Sequence, residues 1–159
     1  LLPMQSLSMA STTFVGQNLG ASNVKRAKKG INIALLMSLV STIISLTPVM
    51  LFSEQLVYLF NQDAGVIEYG SHFLRLISPF YLVVCVNQTY IGSLRGAGDT
   101  KAPMAIMLFS FVLFRQIYLF IVSKTIGTIT AIALGYPIGW VLCSILIYLY
   151  FRKSHWERI

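Results

Sequence analysis

Acidic residues and cysteines are both scarce in this sequence of 159 residues, and each shortage excludes a class of protein. Only five residues are Asp or Glu, against twelve Lys and Arg, and only two are Cys. Cys85 and Cys143 both fall in apolar stretches, so they give no disulfide framework and no metal-ligand spacing. We interpret both thiols as small packing groups. The sequence therefore predicts no metal site and no resident cofactor.

Charged residues are also few, and the apolar residues are gathered in long runs. The hydrophobic fraction is 56%, the charged fraction 11% and the mean hydropathy +0.74, which excludes an ordinary soluble domain. Because a helix needs about 20 residues to cross a bilayer, the runs predict an all-α integral membrane protein, a polytopic helical bundle. The predicted segments are a partial helix at 1–20, spans at 31–52, 71–94, 103–122 and 126–150, and a tail at 151–159.

The first residues of the sequence resemble the second half of a helix. Residues 1–14 are apolar but too few to cross a bilayer, and they begin with neither Met nor the basic region of a signal peptide. We therefore expect the chain to be a C-terminal part of a longer protein. Its expected partners are the lipid bilayer and the N-terminal part of the same protein.

Basic residues alternate along the chain with the predicted spans. Four cations lie in residues 21–30, two in 95–101 and three in the tail, whereas 53–70 carries three acids and no Lys or Arg. Residues 123–126 carry only Lys124. The positive-inside rule then places the two basic loops and the tail in the cytoplasm. Nucleic-acid binding would not produce this alternation, so we expect no nucleic-acid partner.

The span predicted at 71–94 carries a stripe of polar or small side chains along its whole length. The steps between them are three or four residues, so they share one helical face. The members are Ser71, Arg75, Ser78, Tyr81, Cys85, Gln88, Gly92 and Arg95. Lipid cannot satisfy such groups, so the stripe must face either protein or a water-filled cavity, and both interpretations stay open. Tyr81, Gln88 and the neighbouring Asn87 are long enough to contact a ligand and are candidate cavity residues.

Arg115 is a cation near the middle of the span predicted at 103–122. A cation at that depth costs about 2.5–3.5 kcal/mol on insertion scales unless it faces the interior of the bundle. No predicted span contains an Asp or Glu that could pair with it. Its partners are then carbonyl groups, tyrosines such as Tyr118, water, or an acid elsewhere in the protein. Arg115 is a fourth candidate residue, either a structural anchor or an active group.

Two glycine-containing polar loops join the predicted spans. The first reads Gly16-Gln17-Asn18-Leu19-Gly20-Ala21-Ser22-Asn23, and the second reads Leu94-Arg95-Gly96-Ala97-Gly98-Asp99-Thr100-Lys101. Their glycines let the chain leave one helix and reverse closely. Asp99 or Thr100 can cap the next helix, and Arg95 and Asp99 could pair across the loop. We therefore assign structural roles to Gly16, Gln17, Gly20, Arg95, Gly96, Gly98 and Asp99.

These two loops resemble the second-half signatures of the multidrug and toxic compound extrusion (MATE) transporter family. The first loop followed by Arg26-Ala27, the second loop leading into Ala102-Pro103-Met104, and a tail ending near Trp156 match in order and separation. The resemblance covers essentially the whole chain. It implies twelve helices in two six-helix lobes, with this chain holding the end of the eighth helix through the twelfth, in the second lobe.

The resemblance implies a secondary antiporter of the cell membrane that exports organic, often cationic, compounds such as drugs in exchange for protons or sodium. Its two lobes would rock around a central cleft, so that the small-molecule substrate meets one side at a time. The coupling acids of such transporters lie in the first lobe or in the seventh and tenth helices. The equivalent of the tenth helix here, Ser71–Leu94, contains no acid, which favours a proton site in the first lobe, outside this chain.

Three other functions are weighed against this one. A flippase for lipid-linked sugars or peptidoglycan precursors belongs to the same superfamily, but it should line its cavity with several cations, and only Arg115 qualifies. A non-transporting membrane scaffold would not need a polar stripe along a full helix. An enzyme needs a clustered nucleophile, acid–base pair or metal, and the predicted spans offer only His72 near one edge. We therefore expect no enzyme.

Overall fold

The computed structural model describes residues 2–125 and 129–158, and every regular element in them is helical. The α-helices are α1 (Leu2–Gly20), α2 (Val24–Leu51), α3 (Ser53–Tyr58), α4 (Ala64–Ile77), α5 (Tyr81–Gly96), α6 (Lys101–Leu108), α7 (Phe114–Thr125), α8 (Ile129–Ala133) and α9 (Gly135–Lys153). Four stretches are long and apolar enough to cross a membrane: Val24–Leu51, Ala64–Gly96, Lys101–Thr125 and Thr130–Lys153. The predicted fold class, an all-α membrane protein, is confirmed.

Several helices extend beyond the predicted boundaries. Helix α2 starts at Val24 rather than at 31, so the cations expected in a loop at 21–30 occupy its first turns. Helix α9 continues to Lys153, into the expected tail. Lys and Arg are good helix formers, and their long side chains reach polar surroundings from a helix surface. A run of apolar residues therefore ends before the helix that contains it. Residues 126–128, part of the last predicted span, lie outside the described residues.

Helix α4 also starts earlier than the span predicted at 71–94. The Asp63 carboxylate accepts hydrogen bonds from the amides of Gly65 and Val66, at 2.8 and 3.2 Å. These bonds satisfy two of the amides that a helix leaves free at its beginning. The helix therefore starts at Ala64, about two turns before the predicted span.

A 3₁₀ turn and a π-helical turn interrupt two of the long spans. A 3₁₀ turn at Ser78–Phe80 separates α4 from α5, where Pro79 has no amide hydrogen to donate. A π-helical turn at Phe109–Leu113 separates α6 from α7. Each segment winds the chain differently from an α-helix, so each changes the rotation of one half of a span relative to the other.

The turn between α1 and α2 (residues 21–23), the turn between α5 and α6 (residues 97–100) and the tail after α9 lie at the same end of the bundle. We call it the basic end (residues 21–30, 95–101 and 151–158). They meet there around one apolar cluster formed by Val15, Ala27, Ile31, Leu94, Ala97 and Trp156. Trp156 is only 4% exposed and stacks on Phe151, with 5.1 Å between the ring centroids. The segment after α9 is therefore packed against the helices that the two turns connect.

Candidate functional site

Helices α1 and α5 touch along a seam of small residues. The hydroxyl of Ser8 donates to the carbonyl of Gln88 at 2.7 Å, and the hydroxyl of Thr12 donates to the carbonyl of Gly92 at 2.9 Å. Such bonds from side chain to backbone are possible only where two helices approach very closely. The seam fixes α1 against α5 over several turns.

Two glycines of α5 make this approach possible. A Cβ atom at Gly96 would lie 2.3 Å from the carbonyl oxygen of Thr12, and one at Gly92 would lie 2.4 Å from that of Ser8. Across the seam, a Cβ at Gly16 would lie 3.1 Å from the carbonyl oxygen of Gly96. Gly16 and Gly96 were predicted to form turns, and that prediction is wrong. They are helical, and they are required because the two backbones are in contact.

The other glycine and the glutamine assigned to the first loop are also helical. Gln17 and Gly20 belong to the last turn of α1, where the Gln17 carbonyl accepts a bond of 3.1 Å from the amide of Ala21. A Cβ at Gly20 would meet no atom within 4 Å. The predicted loop at 16–23 therefore contracts to the three residues between α1 and α2.

The first turn ends α1 with a Schellman motif. The amide of Asn23 donates to the carbonyl of Asn18 at 2.7 Å, and the amide of Ser22 donates to that of Leu19 at 2.8 Å. Ser22 takes a left-handed conformation, with φ of 56°. The side chain of Asn23 then accepts from the amide of Arg26 at 3.1 Å and caps α2. One residue thus ends one helix and begins the next.

The second turn repeats this arrangement. The amide of Asp99 donates to the carbonyl of Leu94, and the amide of Gly98 donates to that of Arg95, both at 3.0 Å. Gly98 has φ of 87°, so it is the glycine that the turn requires. The Asp99 carboxylate accepts from the amide of Ala102 at 3.3 Å, so of the two alternative caps, Asp99 and Thr100, it is the Asp99 side chain that bonds to the first turn of α6. The two signature loops therefore have the same structure: a Schellman motif ends one helix, and a side-chain cap then begins the next.

The predicted pairing of Arg95 with Asp99 is wrong. The second carboxylate oxygen of Asp99 accepts a hydrogen bond of 2.5 Å from the hydroxyl of Tyr150 on α9. The guanidinium of Arg95 points away, toward the sulfur of Met107 at 4.0 Å. Asp99 therefore ties the second turn to the end of α9, a contact between residues 51 positions apart.

Half of the polar stripe is buried against protein. Its buried members are Ser71, Ser78, Cys85 and Gly92. Arg75, which is exposed, pairs with Glu54 at 2.9 Å and donates to the hydroxyl of Ser53 at 2.7 Å. These residues pack against protein or anchor a neighbouring helix. For this part of the stripe, the interpretation as a surface that faces protein is therefore favoured over a water-filled cavity.

Arg115 has a tyrosine partner, but a different one from the tyrosine expected. Its guanidinium carbon lies 3.8 Å from the centre of the Tyr136 ring, a cation–π contact. The hydroxyl of Tyr118 instead donates to the carbonyl of Ala131 at 2.8 Å. Nε of Arg115 is buried and has no hydrogen-bond partner among the described residues. The cation is thus held against α9 by a π face.

The Tyr136 ring links Arg115 to another of the candidate residues. Trp140 lies one turn further along α9, 6.2 Å from Tyr136 between centroids, and the Tyr81 ring lies 5.2 Å from Trp140. Tyr81 and Arg115, on α5 and α7, therefore meet through two aromatic rings of α9. We call this group the aromatic ladder (Arg115, Tyr136, Trp140 and Tyr81). Aromatic residues four apart in α9 were a pattern that the sequence already displayed.

Asn87 and Gln88 do not join the aromatic ladder. Asn87 is 2% exposed, and its side chain and that of Ser110 each lie near the thiol of Cys143. Its Oδ1 has no hydrogen-bond partner of good geometry in the described part of the chain, and neither has Oγ of Ser110. Gln88 is half-buried, and its backbone carbonyl accepts the hydrogen bond from Ser8 in the α1–α5 seam. The four candidate residues thus occupy three separate places.

Comparisons with known proteins identify the family. The MatE family model matches residues 1–121 of the sequence. The chain belongs to the MatE family. A probable multidrug resistance protein NorM of Thermotoga maritima is 28% identical over 99% of this chain and 34% of its own length. A probable multidrug resistance protein NorM of Bacillus subtilis is 32% identical over the same shares of the two chains.

Solved structures of MATE transporters share this fold. A eukaryotic MATE transporter, AtDTX14, superposes with a TM-score of 0.84 at 23% identity, covering 98% of this chain and 35% of that one. An inward-facing multidrug resistance transporter of the family superposes with a TM-score of 0.85 at 19% identity, covering 95% and 35%. The chain spans about a third of the length of the curated relatives it matches. It is therefore a MatE-family membrane chain with the helical packing of that family.

Proposed function

We propose that this chain is part of the second lobe of an efflux transporter that exports organic, often cationic, compounds such as drugs. Its relatives carry the names of multidrug resistance proteins, and its fold is that of MATE transporters. The protein would work by alternating access, in which two lobes rock around a central cleft. This chain would supply helices of one rocking body.

The close contact between α1 and α5 is the structural observation that supports this proposal. A rocking mechanism needs each lobe to move as one body, because interfaces and packed cores switch between arrangements rather than deform smoothly. Gly92 and Gly96 put two backbones in contact, and hydroxyls of α1 bond to backbone carbonyls of α5. The two Schellman turns and the Asp99–Tyr150 bond fix the same helices at the basic end.

Proton or sodium exchange is the proposed driving force, with the coupling site outside this chain. A coupling group must bind the ion and change charge, which suits a carboxylate. Helix α5 contains no acid along its length. Among the described residues, the cation Arg115 is held by a π face rather than by a carboxylate. We therefore propose a proton site in the first lobe of the complete protein.

Accumulation of a fluorescent organic cation tests the export function. The full-length protein is expressed in cells that lack their own pumps, and the dye retained by these cells is compared with that in cells carrying an empty vector. Export predicts less retained dye. Dissipating the proton gradient should restore retention, whereas removing sodium should not. Equal retention in both strains, for several cations, would argue for a scaffold or for a flippase with another substrate.

A further inference from the structure

A cavity of about 380 Å³ opens at the basic end, between α2, α5, α9 and the segment that follows α9. Its walls combine cationic, aromatic and amide side chains: Lys28, Asn32, Tyr90, Tyr148, Phe151 and Arg152, with Trp156 and Glu157 closing one side. None of these residues belongs to the α1–α5 seam or to the aromatic ladder. Trp156 and Phe151 pack in the apolar cluster of the basic end, but that packing does not explain the charged and amide side chains of the cavity.

The charged groups of the cavity are unequally paired. Nζ of Lys28 lies 2.6 Å from a carboxylate oxygen of Glu157, and both side chains remain about half exposed. No carboxylate among the described residues pairs with Arg152, which is exposed. Lys25 and Lys29 stand nearby on α2 and add to the positive potential. The cavity therefore has a net positive charge with one guanidinium available to a ligand.

The aromatic side chains give the cavity a second, apolar wall. Tyr90 meets Tyr148 edge to face at 5.8 Å and Phe151 at 4.8 Å, between ring centroids. Tyr148 is 43% exposed, and Ile145, one turn deeper on the same face of α9, is 52% exposed. An exposed apolar track thus leads from the cavity along α9 toward the middle of the span.

We propose that this cavity binds the headgroup of an anionic phospholipid. It lies within the first turns of α2 and the last turns of α9, the level at which a bilayer places its headgroups. Arg152 and Lys28 would hold the phosphodiester, since basic pockets between membrane helices recognise such groups. The tyrosines suit the boundary between headgroup and acyl chain. One acyl chain would follow the track past Tyr148 and Ile145.

Lipid-dependent stability of the purified full-length protein tests this proposal. Phosphatidylglycerol, phosphatidylcholine or phosphatidylethanolamine is added to the protein in detergent. Bound lipid is counted by native mass spectrometry, and the midpoint of thermal unfolding is recorded. Phosphatidylglycerol should bind and stabilise at the lowest concentration, and salt should weaken its effect. Equal protection by phosphatidylcholine, or by inorganic phosphate alone, would overturn the assignment to an anionic lipid.

Two substitutions that each remove one positive charge make the test specific to the cavity. Arg152→Gln should weaken phosphatidylglycerol binding about fivefold, the effect of one cation near a membrane surface. Lys25→Gln removes the same charge from the same end without lining the cavity, and should change binding less than twofold. A loss of equal size in these two variants would show a diffuse charge effect and overturn the site.

Glu157→Gln separates an anionic from a zwitterionic headgroup. Removing this carboxylate frees Lys28 for the phosphodiester, so phosphatidylglycerol should bind roughly fivefold more tightly. If the site were built for phosphatidylethanolamine, Glu157 would hold its ammonium group and the same change would weaken binding. Unfolding of each variant without added lipid checks that the tail remains folded. All these readouts are independent of export, so they stand apart from the proposed function.

Discussion

Four of the described glycines occupy three kinds of position, which respond differently to substitution. Gly92 and Gly96 lie where a side chain would strike a neighbouring backbone. Gly98 lies where the backbone itself needs a left-handed conformation. Gly20 lies in open space within a helix. The sequence shows four identical letters, and the environment of each decides what the residue contributes.

Gly96→Ala should destabilise the protein, because its Cβ would lie 2.3 Å from the carbonyl oxygen of Thr12 and neither backbone can turn aside. Overpacking of this kind costs about 1–3 kcal/mol. Thermal unfolding of the full-length protein in detergent measures the loss. Gly20→Ala is the matched control and should be neutral or slightly stabilising, since alanine is the better helix former. An unchanged midpoint in Gly96→Ala would contradict the close seam.

Ser22→Gly and Gly98→Ala should shift stability in opposite directions. Both positions have positive φ, at 56° and 87°, which costs a residue with a Cβ about 1–2 kcal/mol. Gly98→Ala adds that cost. Ser22→Gly removes it, but the gain should stay below about 1 kcal/mol because glycine also gains freedom in the unfolded chain. Unfolding midpoints in detergent test both, and a shift of the same sign in the two variants would refute equivalent turns.

At the scale of elements, the two turns are equivalent at their helix ends but differ in what holds them. The backbone amides of Asn23 and Asp99 each donate to a carbonyl at the end of one helix, and their side chains cap the start of the next. Only Asp99 also reaches another helix, through its hydrogen bond with Tyr150. The second turn is therefore the one that connects the middle of the chain to the end of α9.

Tyr150→Phe tests that connection, because it removes the hydroxyl and keeps the ring. The bond to a carboxylate is expected to contribute about 1.5 kcal/mol, the lower limit for a charged partner, since water reaches this pair. A double-mutant cycle with Asp99→Asn, followed by thermal unfolding, isolates the coupling between the two residues. Tyr58→Phe, at an exposed tyrosine of α3, is the control. Additive effects would show that the bond contributes nothing to stability.

The aromatic ladder illustrates how far one helix can be interpreted by itself. The sequence indicated that Arg115 needed a partner, and tyrosines such as Tyr118 on the same helix were among the alternatives, but the Tyr118 hydroxyl bonds to Ala131. The true partner, Tyr136, is on α9. The π-helical turn at Phe109–Leu113 rotates α7, and that rotation decides which neighbouring helix Arg115 faces. Candidate sites that depend on rotation could not be assembled from spacing.

At the scale of the whole molecule, charge is segregated between two ends of the bundle. Both turns and the segment after α9 gather at the basic end, around one apolar cluster. Glu54 comes after the last residue of α2, and Asp63 precedes the first residue of α4. Both lie, with the turn between α3 and α4, at the end of the bundle away from the basic end. The chain thus places its two signature turns at the same end of the bundle. The positive-inside rule assigns that end to the cytoplasm, which remains a prediction.

Cysteine accessibility tests this topology. Lys28→Cys and Lys101→Cys should react with a membrane-impermeant thiol reagent only after the cells are opened, whereas Asp63→Cys should react in intact cells. Cys85 and Cys143 are both buried, so background labelling should be low. Lys28→Cys and Lys101→Cys reacting from opposite sides would contradict the bundle as described. Both reacting in intact cells would reverse only the assigned orientation.

The sequence alone determined the helical membrane class, the number and approximate position of the spans, and the family, because hydropathy, charge and short motifs are properties of contiguous residues. It also limited the cap of α6 to Asp99 or Thr100, since capping acts over three residues. Only the tertiary structure showed that Gly16 and Gly96 bring helices together, that Asp99 binds Tyr150, and that the tail closes a cavity. These features depend on how helices rotate and approach one another, and that geometry is set by distant residues acting together.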